Sequence, residues 1–287
     1  SPPVARAGLL AMPARRPSHW ALFCAWALAT RASGAAPAAG APALPAPQLD
    51  VARVADPRTG APVGAEVPVV GFYYPSHEIA VDRACGAPFL GNFWTPARIE
   101  DFAPPAFASY PHSFNCSEAC YWASQWWDRA SQFEGKNGQQ VFDLAQKLVK
   151  EGVPADPTYG GFGSAWKMMH VILRKKFRPG SELALGLLAT GDAFLVEHQA
   201  GTDSDDKWSD YCDGRGHNWL GLQLMCLRDE LRGAVDGSWS IFASVAYNLS
   251  DGSPQPGEHT WLAAVRRAAA ALNSALELSC PPRASFV

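Results

Sequence analysis

Apolar positions in this 287-residue chain keep a regular rhythm only beyond about residue 67. The first such stretch, Val67 to Tyr74 (VPVVGFYY), is β-branched and aromatic and predicts a strand that opens the folded part. Residues 75–113 are rich in proline and glycine with scattered aromatics, the pattern of a long ordered loop with short strands around Phe89 to Trp94. The spacing then turns helical. Cys116 to Phe133 predicts one buried helix, with Asn115 or Ser117 as its cap and Gly135 beyond its end. Further helices are predicted over Gln139 to Glu151, Gly163 to Phe177, Ser181 to Leu188 and Asn218 to Arg232, with a short strand at Phe194 to His198. Ile241 to Leu249 reads as a strand or a helix. An Ala-rich helix from about Glu258 to Leu278 presents Trp261, Leu262, Val265, Ala269 and Leu272 on one face, which predicts docking onto the core.

Residues 1–67 are dominated by Ala, Pro and Arg and cannot form a packed core of their own. Within them Arg15 and Arg16 precede the apolar run Trp20 to Ala29 and small residues at Ala32 to Ala36, the order of a secretory signal peptide. An organellar transit peptide shares this composition, so the expected location is the secretory pathway or an organelle, and otherwise the cytoplasm. A run of about ten apolar residues is too short for a stable membrane span. The expected organisation is a leader and Ala/Pro-rich segment over 1–67, one domain over 68–233, and a C-terminal extension over 234–287 whose helix packs on that domain.

The formal charge of -3 and pI near 6.2 exclude a protein that grips duplex nucleic acid mainly through its phosphates. The densest basic cluster, Arg174, Lys175, Lys176 and Arg178, reads as the solvated end of a helix. Seven cysteines leave one unpaired even with full bridging, and none forms a CxxC, so a structural zinc site is not expected. His77, His112 and His170 have no partner at metal-ligand spacing, and neither a metal nor a cofactor is called for.

Seven segments fall into one series: FYYPSHEI at 72–79, FLGNFWTP at 89–96, CSEACYWASQ at 116–125, MHVILRKKF at 169–177, LLATGDAFLVEHQ at 187–199, DDKWSD at 205–210 and GHNWLGLQLMCLRDEL at 216–231. In order and in spacing this series resembles the NADAR, or YbiA-like, family over roughly residues 68–233. The resemblance implies an α+β, predominantly helical fold, a small β-sheet packed by several helices, and hydrolysis of N-glycosidic bonds in nucleotide-like substrates such as riboflavin-pathway intermediates or ADP-ribose adducts. Carried over by position, the helical glutamate of the family falls on Glu118, its Asn-Phe pair on Asn92 and Phe93, and its Leu-Val-Glu glutamate on Glu197. The acidic loop falls on Asp205, Trp208 and Asp210, and the Asn-x-Leu-Gly element on Asn218 and Gly221. Three positions depart: Gln125 stands where the family has a lysine, Ala119 replaces a histidine, and Gly161 replaces a tryptophan whose ring Tyr159, Phe162 or Trp166 can supply.

Breaking a bond between ribose C1′ and a base nitrogen passes through an oxocarbenium-like state, which calls for carboxylates near C1′ and an aromatic platform for the leaving base. Glu118 and Asp210 are the expected catalytic acids and Trp208 the expected ring. A continuous helix would present Glu118, Trp122 and Gln125 on one face at i, i+4 and i+7. Asn92, Phe93, Glu197, Asp205 and Asn218 complete the expected substrate contacts, with a phosphate held by backbone N–H groups near 214–221. Without the series, Glu118 would read as a surface acid favoured by a helix start, Asp205 and Asp210 as a solvated acidic loop, and His198 as a satisfied strand histidine.

Overall fold

The structure, a computed structural model, describes residues 44–59, 65–75, 79–199, 206–234 and 237–280. The leader-like run at 20–29, His77 and Asp205 lie outside the described residues.

A three-stranded sheet organises the fold. Strand β1 (Ala52–Ala55) pairs antiparallel with β2 (Glu66–Phe72), which pairs parallel with β5 (Phe194–Glu197). The parallel pair demands a long crossover, and the chain between residues 73 and 193 supplies it. It begins with α1 (Ala80–Cys85), passes through a two-stranded antiparallel pair, β3 (Ile99–Phe102) and β4 (His112–Phe114), and continues as α2 (Ser117–Ala123), α3 (Gly138–Lys150), α4 (Ala165–Lys176) and α5 (Glu182–Ala189). After β5 come α6 (Trp219–Leu231), α7 (Ser238–Ala246) and α8 (Glu258–Ala275). The fold is α+β and predominantly helical, with its helices packed around a small sheet.

Two glycines show how tightly the helices approach. A Cβ at Gly71 in β2 would collide with Val81 of α1 and Leu272 of α8, and one at Gly221 in α6 would run into the Leu195 carbonyl of β5. Alternation along β5 then divides its side chains. Phe194 turns to Trp239 and Trp261 on the face covered by α7 and α8, with 5.6 and 5.2 Å between ring centroids. Leu195 and Glu197 turn to the opposite face. His198 extends the ladder by one residue, its backbone N–H donating to Phe72 O, and falls on the same side as Phe194.

Several helices follow their sequence signals. Asn137 and Gln140 form a reciprocal capping box at the start of α3, and Ser164 and Ser181 accept from the N3 amides of α4 and α5. Helix α8 buries Trp261, Ala264, Val265, Ala268, Ala269 and Leu272, and its alanines allow the close approach. A disulfide from Cys212 to Cys280 ties the segment after α8 to the 206–217 loop, while Cys85, Cys116, Cys120 and Cys226 are buried free thiols.

Three expectations are corrected. Strand β1 lies inside the segment read as structureless, because its four residues between proline-rich flanks are too short to show a period. Residues 88–94 form a 3₁₀ turn (Pro88–Leu90) and a bend instead of short strands, with Pro88 at its start. The helix expected over 116–133 stops at Ala123 and resumes as a 3₁₀ segment, Trp127–Gln132. Ile241 to Leu249, open between strand and helix in the sequence, falls mostly within the helix α7, which ends at Ala246.

Candidate functional site

The bend after Leu90 runs directly over the end of β2, where a Cβ at Gly91 would sit 2.7 Å from Tyr73 O. It delivers Asn92, whose carbonyl accepts from Glu118 N at 3.2 Å and so fixes the first turn of α2 against the loop. Cys116 caps α2 in extended geometry without a side-chain bond. Glu118 is half-buried, and its Oε1 accepts from Trp122 Nε1 at 2.6 Å, an i,i+4 contact that fixes the carboxylate on the helix face.

Trp122 opens a continuous aromatic wall. Its ring stacks on Trp126 (5.9 Å, 14°) and meets Tyr121 edge-on at 5.4 Å. Tyr121 meets Trp208 edge-on at 5.8 Å and Tyr159 at 6.2 Å, and Trp208 leans on Trp219 at 5.5 Å. Glu118 is thus joined to Trp208 through two rings. Of the three aromatics able to replace the missing family tryptophan, Tyr159 reaches this wall directly. Phe162 stacks on Phe102, and Trp166 packs on Trp219 and Tyr247.

Beside Glu118, Asn92 is buried and its side-chain Oδ1 has no hydrogen-bond partner among the described residues. Ser117 Oγ and Gln125 Nε2 are in the same condition. Unsatisfied buried polar atoms are scarce in folded proteins, and the two next to Glu118, on Asn92 and Ser117, mark a place where a polar ligand or water belongs. Phe93, next to Asn92, lines a cleft of about 220 Å³ with Tyr74, Trp94, Thr95 and the start of α3. Its ring lies 5.2 Å from that of Tyr74. Among the described residues, no group of three or more His, Cys, Asp or Glu side chains is arranged to hold a metal ion.

Other expected site residues stand differently. Gln125 lies past the end of α2, in a turn whose carbonyl accepts from Asp156 N, so the i+7 alignment with Glu118 is not a helical one. Asp210 is fully enclosed: Oδ2 lies 2.6 Å from His198 Nδ1, and Oδ1 accepts from Gln199 N and Cys212 N. Because His198 and Glu197 alternate, this pair sits on the α8 face of the sheet and does not join Glu118. Asn218, also fully buried, spends both side-chain groups on β5, donating to Leu195 O and accepting from Glu197 N. It extends the ladder of β5, a structural use of the side chain.

The expected phosphate cradle is also filled from within. The N–H groups of residues 216–220 donate to Asp210 O, Asp206 O, Ser209 O, Lys207 O and Trp208 O in turn, and Arg215 is paired with Asp213 over the Tyr211 ring. Glu197 is buried at the end of β5, on the face toward α4, where Lys176 feels its charge.

The basic cluster at the end of α4 needs the largest revision. Arg174 pairs with Glu230 and Lys175 donates to Asp101 O, while Lys176 is buried with its Nζ on the carbonyls of Leu90 (3.2 Å) and Gly91 (2.7 Å). A helical signal was available in the sequence: Met169, Ile172, Leu173 and Lys176 share the apolar stripe of α4. Burial pulls the lysine down to a pKa of about 7, opposed by Cys116 and Glu197. The Cys116 thiol, buried beside it, is pushed up to about 12 and stays neutral.

An α+β domain with an acid seated in an aromatic wall is the class that fold and site define, and comparison with known proteins narrows it. No family model matches the chain. A riboflavin biosynthesis protein of Vibrio vulnificus is 31% identical over 133 residues, 43% of this chain and 34% of that protein. The N-glycosidase YbiA of Escherichia coli is 46% identical over 65 residues, 23% of this chain and 39% of that protein, and the YbiA of Shigella flexneri matches equally. The NMR structure of the E. coli protein YbiA aligns with a TM-score of 0.41 at 24% identity, over 57% of this chain and 84% of that one. Over these stretches the chain is similar to YbiA-like proteins, and it spans about a third to two fifths of the length of the curated relatives it matches.

Proposed function

We propose that the protein hydrolyses the N-glycosidic bond of a nucleotide-like substrate, either a phosphoribosylamino-pyrimidine or an ADP-ribosyl adduct, with Glu118 at the sugar carbon. The observation that carries this reading is the seating of Glu118: a half-buried carboxylate that accepts from the Trp122 indole, beside the buried, unsatisfied Oδ1 of Asn92. Relatives named N-glycosidase support the reaction class.

As the bond from C1′ to the base nitrogen lengthens, positive charge grows on the ring, and a fixed carboxylate stabilises it without reorganising. The same carboxylate can take a proton from the attacking water. The rings of Trp122, Tyr121 and Trp208 exclude water on one side and offer faces on which a planar base stacks. Asp210, sealed against His198, supports the loop that carries Trp208 and has no part in the chemistry.

A second reading, a nucleotide-binding module without turnover, is favoured by Gln125, a neutral amide in the place of the family lysine. Incubating the full chain with ADP-ribosylated guanosine and with a phosphoribosylamino-pyrimidine, then assaying free base, separates the two. Release of base by the parent, reduced at least about tenfold in Glu118→Gln, supports the hydrolase. Saturable binding without release, unchanged by Gln125→Lys, supports the module.

A further inference from the structure

An ammonium group buried in a protein core is costly unless its protons are spent on good acceptors. Lys176 spends two of them on consecutive carbonyls, Leu90 O and Gly91 O. The next carbonyl along the chain, Asn92 O, accepts from the backbone N–H of Glu118. Three successive peptide units therefore bridge the end of α4 to the first turn of α2, and they carry the side chain of Asn92 between them. The ionisable groups that face the ammonium are Glu197 from β5 and the neutral Cys116 thiol at the cap of α2, and the Phe177 ring lies 5.0 Å away. No other described cation enters this junction with two backbone carbonyls in its grip.

We propose that Lys176 is a positioning residue: by clamping the 90–92 loop it sets the placement of Asn92 and of Glu118 relative to one another. The inference rests on the assignment of the site to Glu118, but its structural content is readable without a substrate. Lys176 does not touch the reacting atoms. It acts through the loop, so its loss lowers kcat more than it raises KM, because the groups that must be aligned in the transition state are the ones released.

The test is backbone amide exchange followed by mass spectrometry on the full chain, comparing the parent with Lys176→Met and Lys176→Arg, together with turnover of the two probe substrates. In Lys176→Met, segments 88–96 and 116–120 should exchange about tenfold faster while α6 is unchanged, the pattern of a local opening. Lys176→Arg, which keeps the charge and the donors, should restore protection at least in part. Protection in 88–96 equal to the parent in a folded Lys176→Met overturns the proposal. So does a rise in exchange spread evenly over the whole chain, which marks a merely structural lysine.

Should Lys176→Met fail to fold, the parent is read at pH 6 and pH 9 with rates corrected for intrinsic exchange. The same two segments should be better protected at pH 9 than at pH 6, because above about 7 the opened loop regains a proton that the closed one has shed, and protection that is unchanged or lower at pH 9 overturns the proposal. A parent that releases no base while Lys176→Met still loosens the loop contradicts the hydrolase reading alone and leaves the clamp standing.

Discussion

Glu118 and Asp210 come from the same motif series, and the fold gives them opposite surroundings. Glu118 is half-buried, its carboxylate accepting from the Trp122 indole at the edge of an aromatic wall. Asp210 is closed off on the other face of the sheet, with His198 Nδ1 on one oxygen and two backbone amides on the other. An acid enclosed with a histidine and two amides on its oxygens cannot take up a proton or a growing charge without breaking what it holds, whereas one half-buried at the edge of an aromatic wall can meet a substrate. A motif alone does not separate these roles, since both serve to preserve a domain. Asn218 and Arg228 belong with Asp210: Arg228 is buried, donates to Thr190 Oγ1 and Ala193 O, and is lowered by burial to a pKa of about 9.

The contrast is sharpest in stability. Asp210→Asn turns an acceptor into a donor facing donors and breaks the pair with His198, so it should cost about 3–5 kcal/mol in urea unfolding, the range for disrupting one half of a buried pair. A similar cost in Glu118→Gln would erase the distinction between the two acids.

The loop that holds Asp210 is also pinned by the disulfide. Cys212 and Cys280 enclose 68 residues of sequence separation, for which chain entropy predicts about 4 kcal/mol. Reducing the bond, or replacing both cysteines by serine, should lower the denaturation midpoint accordingly. A midpoint unchanged by reductant would show that α8 stays docked on its apolar face alone.

A third test separates two buried groups by pH. Burial raises the Asp82 carboxyl to a pKa of about 7, against amide bonds from Tyr73 and Tyr74 that pull it down, and burial lowers Lys176 to about 7. Between the ordinary value near 4 and its folded value, Asp82 holds a proton in the folded chain that the unfolded chain has shed. Its contribution is therefore present at low pH and lost as pH rises through 7. Lys176 runs the other way: between 7 and its ordinary value near 10.5 the unfolded chain holds the extra proton, so stability is gained as pH rises through 7 and is lost on the way down. A single group of this kind contributes a slope of at most about 1.4 kcal/mol per pH unit. Asp82→Asn should flatten the profile from pH 4 to 7, and Lys176→Met the profile from pH 7 to 10. A profile that each variant leaves unchanged would mean that neither group titrates in these windows.

The smallest expected effect is Trp122→Phe, which removes the one indole bond to Glu118 and should cost about 1 kcal/mol of stability. Turnover of the probe substrates should fall more than stability does, because the carboxylate is freed to rotate. Equal losses in both would assign the bond to packing.

Much of this arrangement was legible from residue pattern. Helices α3, α4, α5 and α6, strands β2 and β5, and the apolar face of α8 follow from periodicity, and Ser181 marks the start of α5, whereas the caps Asn137 and Ser164 are seen in the structure. The pairing of Glu118 with Trp122 follows from their i,i+4 spacing. Beyond that, local pattern stops short. The break of α2 at Ala123 leaves no proline or glycine in the sequence, and beyond Ser124 and Gln125 the apolar residues Trp126 and Trp127 keep a helical spacing. Which face of β5 His198 occupies, and hence where Asp210 goes, depends on the parallel pairing with β2 across more than a hundred residues. Lys176 was misread because a charge at a helix end is ordinarily solvated, although its position on the apolar stripe of α4 pointed inward.

Product release and urea unfolding measured side by side on Glu118→Gln test the central assignment most directly. The account predicts free base reduced at least about tenfold relative to the parent with the unfolding midpoint unchanged, as befits an acid-base group that carries no structural burden. Release at the parental rate from a folded Glu118→Gln would contradict it.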